Sequence, residues 1–90
     1  MNLIQKIVKK AKEKIDELLL IRKVKSTVES LIIEQEEDIN RRKKYIEEHL
    51  EESNISTAMV HWKAMINARK NIELLEEFKN YVLNNEKNEN

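Results

Sequence analysis

The sequence predicts an all-α chain, folded as an antiparallel helical hairpin or a three-helix bundle of long amphipathic helices with coiled-coil-like packing. Three observations lead there. Glycine and proline are absent, which removes the residues that tight turns and phosphate loops most need. Of the 90 residues, 38% are charged, and the rest is rich in Leu, Ile and Asn, a composition suited to long, solvated helices. Apolar residues also recur at steps of three and four along nearly the whole chain, so they line one face of a helix.

The first stretch carries the longest repeat. Ile4, Ile7, Ala11, Leu18, Ile21, Val28, Ile32, Ile39 and Ile46 fall on a single three-four repeat, with Lys14, Lys25, Gln35, Arg42 and His49 at the vacant steps. The register does not slip across residues 22 to 28, which suits one helix of about fifty residues, roughly 75 Å at 1.5 Å per residue. A competing reading breaks the chain at Ser26-Thr27, where Ser26 and Glu29 have the spacing of a capping box. Helices over about 2–25, 27–52 and 55–83 would then form a three-helix bundle.

The last helix has the clearest start. Ser53-Asn54-Ile55-Ser56-Thr57 clusters the side chains that cap helices. The apolar positions Ile55, Ala58, Met59, Trp62, Met65, Ile66, Ala68, Ile72, Leu75, Phe78 and Val82 follow as one wide stripe that needs covering. A short connection makes the preceding helix its antiparallel neighbour. Residues 1–83 are therefore expected to form a single helical domain, and the polar tail 84–90, with nothing to bury, to be disordered.

Net charge is zero, but its distribution is uneven. Met1 to Val28 holds eight Lys and Arg against three acidic residues, and Glu29 to Asn54 holds four against nine. Lysines in the first turns and glutamates near the end of the second segment oppose the helix dipole. Both become sensible if the basic segment lies antiparallel beside the acidic one. That contact can form within one chain folded at Ser26, or between two chains about a two-fold axis near that residue; the continuous repeat and the small core favour the homodimer.

Several function classes are disfavoured. Without cysteine there are no disulfides and no thiolate metal sites. The longest apolar run, Leu18 to Ile21, is far short of the roughly twenty residues that span a bilayer. The N-terminus lacks the continuous apolar core of a signal peptide, so a cytoplasmic protein is expected. No phosphate loop is available without glycine, and Ser26, Ser30, Ser53 and Ser56 lie at helix starts or exposed positions. No catalytic residue, cofactor or metal is assigned, and the chain is read as not an enzyme.

Four groups are weighed as sites. His49 and His61, six residues on either side of Ile55, come together in a hairpin turning there, yet the Glu-x-x-His spacing of bundle metal centres is missing, because Ile46 and Ala58 occupy those steps. They read as interface histidines. Trp62, Met59, Met65 and Tyr45 read either as core beneath the turn or as a patch for a protein partner. The N-terminal stripe, with Ile4 and Ile7 at its front, reads as a helix-packing face. Its lysines also give it the form of a membrane-surface helix, a reading weakened by the lack of Trp or Phe there.

The fourth group is basic. Arg41, Arg42, Lys43 and Lys44 wrap more than a full turn of helix, with Glu37 and Asp38 four residues before and Glu47 and Glu48 four residues after, and so read as a paired, solvated face. The functional expectation is a helical protein-protein interaction protein: an assembly component, adaptor or inhibitor acting through exposed helix faces. The alternative is a nucleic-acid-associated regulator that uses Lys6, Lys9, Lys10 and Lys12 together with Arg41, Arg42, Lys43 and Lys44, provided the two groups share one face.

Overall fold

Asn2 starts the first helix. Its Oδ1 accepts from the Gln5 backbone N–H at 2.8 Å, and Gln5 Oε1 accepts from the Asn2 N–H at 3.3 Å, completing a capping box. In the computed structural model, which describes residues 2–88, this helix, α1, runs unbroken over Leu3–Glu51, and a second, α2, spans Ile55–Asn88. The result is a rod of 75 × 17 × 16 Å with a radius of gyration of 21.3 Å, where a compact domain of this length would have about 12 Å.

The turn between the helices is built from backbone geometry normally given to glycine. Ser53 adopts φ 60°, its N–H donates to the Leu50 carbonyl at 3.0 Å, and the Asn54 N–H donates to the His49 carbonyl at 2.8 Å. These two bonds make a Schellman motif and satisfy the last carbonyls of α1. Asn54 then caps α2, its Oδ1 accepting from the Thr57 N–H at 3.3 Å. One residue closes α1 and the next opens α2, so the helices must run antiparallel.

They pack along the predicted repeat. Ile39 and Ile46 of α1 form a core cluster with Met65 and Ala68 of α2, with Ile72 partly buried against it, and Val28 and Ala58 are buried outside that cluster. Near the far end Lys79 Nζ reaches Glu29 at 3.2 Å across the seam. Alanine at 58 and 68 lets the two helix axes approach closely, and the Met65 side chain fills the space between.

The structure corrects the sequence reading in four places. The chain does not break at Ser26-Thr27, so the hairpin forms and the three-helix bundle does not. Between Arg22 and Ser30 there is no Gly, Pro or Asn, and continuing the helix gains a backbone hydrogen bond per residue that a capped break would forfeit. As a consequence the basic and acidic segments are successive parts of one straight helix and do not touch within a chain.

Third, the wide stripe on α2 is not all core. The seam takes Ala58, Met65, Ala68, Ile72, Leu75 and Val82, whereas Ile55, Met59, Trp62, Ile66 and Phe78 remain exposed, because one partner helix covers a narrower arc than a bundle would. Fourth, α2 continues as helix to Asn88, beyond residue 84 where the tail is expected to begin. The end of that tail, residues 89–90, lies outside the described residues.

Candidate interaction surface

Helix length creates the first candidate surface. At 1.5 Å per residue α1 is about 74 Å long and α2 about 51 Å, so α2 runs out before it reaches the front of α1. Every residue from Asn2 to Leu20 is exposed. Ile4 and Ile7, on the same repeat that α2 covers further along, are 72% and 58% exposed, and Leu3, Val8, Ile15 and Leu18 are also open to solvent. Among the described residues Lys6, Lys9, Lys10 and Lys12 on this segment have no carboxylate within ion-pair distance.

The second surface lies at the tip, beside the turn. Ile46, Leu50, Ile55, Ala58, Met59 and Trp62 line an open apolar groove of about 320 Å³ between the two helices. Trp62 is 51% exposed and Met59 53%. An unfilled apolar groove beside aromatic and methionine side chains is a setting where helices dock. Leu50 and Ile55 were not singled out as site residues by sequence; the signal lay in their flanking the turn, one helical step from Ile46 and Met59 respectively.

On the opposite side of the tip, polar rings cross the seam. Arg42 Nη1 donates to His61 Nδ1 at 2.8 Å, the ring nitrogen accepting because a guanidinium only donates. His61 also stacks on His49, with centroids 5.5 Å apart and planes 9° apart, and lies 5.2 Å from the Tyr45 ring. Asp38 holds both Arg41 and Arg42 at 3.5 Å. The buried His49 Nδ1 has no hydrogen-bond partner, with Glu52 nearest at 3.7 Å.

With Arg42 occupying one imidazole nitrogen, this layer fixes the register of the two helices, as polar groups in a helical seam do. Among the described residues no group of three His, Cys, Asp or Glu side chains is arranged to hold a metal ion.

Of the six residues read as partner-binding, Trp62, Met59, Tyr45, Ile4 and Ile7 are exposed. Met65 is the exception: at 1% exposure it belongs to the hairpin core, and this corrects its assignment to a contact patch. The two basic groups are not adjacent within one copy. Lys6 to Lys12 and Arg41 to Lys44 are about 45 Å apart along α1, and Arg41 and Arg42 are already held by Asp38. A further apolar patch, Leu74, Phe78 and Tyr81 on α2, escaped the sequence reading, which placed Phe78 in the core stripe and gave Tyr81 no role.

Among the described residues no helix is long and apolar enough to cross a membrane. No protein-family model, curated protein or solved structure matches the chain.

Proposed function

We propose that this chain is a non-enzymatic helical interaction protein, working as a homodimer and engaging other proteins through the helix faces that the hairpin leaves bare. One observation carries the reading: the apolar repeat that α2 covers toward the tip continues, uncovered, through Leu18, Ala11, Ile7 and Ile4. A contiguous apolar stripe in water is costly, and on soluble proteins such stripes are where partners bind. The lysines of the first turns, unfavourable against the helix dipole, gain when an acidic surface lies over them.

The test replaces Ile4 and Ile7 with lysine. Both side chains are exposed, so helicity should persist while self-association, measured as molar mass in solution, and retention of partner proteins from the native host are lost. Unchanged molar mass and unchanged partner retention would contradict the proposal.

A second reading, a nucleic-acid-associated regulator, is supported by the unpaired lysines of the front segment. It predicts retention on heparin that falls steeply with salt, and absence of retention at low salt removes it.

A further inference from the structure

The bare front of α1 and the empty groove at the tip lie on the same repeat at opposite ends of one helix. We infer that they fill each other between two copies: residues 3–18 of one chain dock antiparallel into the tip groove of the second, and reciprocally. This rests on the homodimer reading and adds to it the surfaces that meet, the register and the position of the axis.

The repeat sets the register. With the two-fold axis beside Ser26-Thr27, two α1 helices run antiparallel, the front of each lying in the groove between α1 and α2 of the other, since α2 already covers the seam itself. Ile7 comes level with Ile46 of the second copy, Ile4 with His49, and Ile21 with Ile32. The flanking residues agree. Leu3 comes level with the exposed Leu50 and Val8 with the exposed Tyr45, and Val8 and Leu50 are about 7.5 Å apart along the axis. Arg22 lies about 3 Å along the axis from Glu29.

Sliding by one heptad in one direction leaves Leu50 bare. Sliding in the other pushes Ile4 beyond the turn. The chosen register alone covers both bare surfaces, and its closed two-fold leaves no sticky end.

Charge favours the same choice. The first 28 residues carry five more basic than acidic groups and residues 29–54 five fewer, so antiparallel overlap brings opposite segments together. The match is favourable in sum and not at every rung, since Lys9 and Lys10 meet Lys44 and Lys43. The main competitor, front against front, would juxtapose two segments that each hold five lysines between Lys6 and Lys14, and would leave the groove beside Trp62 unfilled.

The chain has no cysteine of its own, which makes thiol cross-linking a clean test. Val8 and Leu50 are both exposed, so single variants V8C and L50C and the double variant V8C/L50C should all fold. Within one copy these positions are about 63 Å apart along α1. Between copies in the proposed register they are offset by about 7.5 Å along the axis, beyond the roughly 7 Å of a disulfide and within reach of a short bismaleimide, so any such cross-link must join two copies. The bismaleimide should convert the double variant, and an equimolar mixture of the two single variants, into covalent dimers, while each single variant alone stays uncrosslinked.

A V8C protein that cross-links to itself would show front-to-front pairing and overturn the inference while leaving the homodimer intact. Failure of both the double variant and the mixture to cross-link, in a protein that is dimeric by molar mass, would overturn it in the same way. A chain monomeric at every concentration would overturn it together with the homodimer, and the partner retention measured with the Ile4 and Ile7 variant would then stand as a separate test of the interaction reading.

Discussion

Ser53 sits at φ 60°, in the left-handed region where a Cβ costs about 1–2 kcal/mol, because the turn needs a residue there and the chain has no glycine to supply. Ser53→Gly should therefore stabilise the hairpin by about 0.5–1 kcal/mol, the relief being partly offset by greater freedom of the unfolded chain. Thermal unfolding checks this: the midpoint should rise, and an unchanged or lower midpoint would mean that Ser53 bears no strain. A second residue-scale prediction concerns Met65, the most deeply buried side chain of the seam. Met65→Ala should cost about 2–4 kcal/mol by opening a cavity between Ile39 and Ile46, read from denaturant unfolding; a cost well under 1 kcal/mol would place Met65 outside the core. At this scale the sequence was partly legible. The run Ser53 to Thr57 announced a helix start, but five candidate caps in a row could not say that Asn54 takes the role while Ser53 makes the turn.

At the scale of the element, the unequal lengths of α1 and α2 produce everything of functional interest. The three-four repeat was legible from Ile4 to Ile46, and it described a single helix correctly. Ser26 and Glu29 imitated a capping box because those residue types are common on helix surfaces too, and only the backbone distinguishes the two uses. The apolar stripe of α2 was legible as helix and misleading as core. With one neighbour in place of two, Met59, Trp62 and Phe78 stay outside the seam, and the residues read as buried become the exposed ones. The polar layer of Arg42, His61 and His49 occupies rungs that an apolar repeat leaves vacant. It gives the hairpin a single register, since slipping by one heptad would strand Arg42 against apolar neighbours and break its bond to His61.

At the scale of the whole molecule, the hairpin keeps a small core, Ile39 and Ile46 with Met65 and Ala68, and buries Val28 and Ala58 besides. A 90-residue chain of this shape is expected to gain stability by association, and in the proposed dimer its bare front and the groove at its tip are the surfaces that meet. Charge segregation was legible in the sequence; whether the basic and acidic segments meet within one chain was not, because it turned on a break at Ser26-Thr27, and the continuous α1 keeps them apart. The proposed dimer would gather Lys9 and Lys10 of one copy with Lys43 and Lys44 of the other, so the heparin test bears on the dimer as well as on the isolated front segment.

The central claim is that the front of α1 is covered in the working molecule by a second copy. Hydrogen exchange of the backbone amides from Lys6 to Glu17, followed at low and high protein concentration, tests it most directly, because helical amides without packed neighbours open easily and packed ones do not. The account predicts rapid exchange in the dilute protein, protection that grows with concentration in step with molar mass, and loss of that protection in the chain with lysine at positions 4 and 7. Exchange in this segment that is rapid and independent of concentration, while the seam from Val28 to Ile46 stays protected, would contradict it.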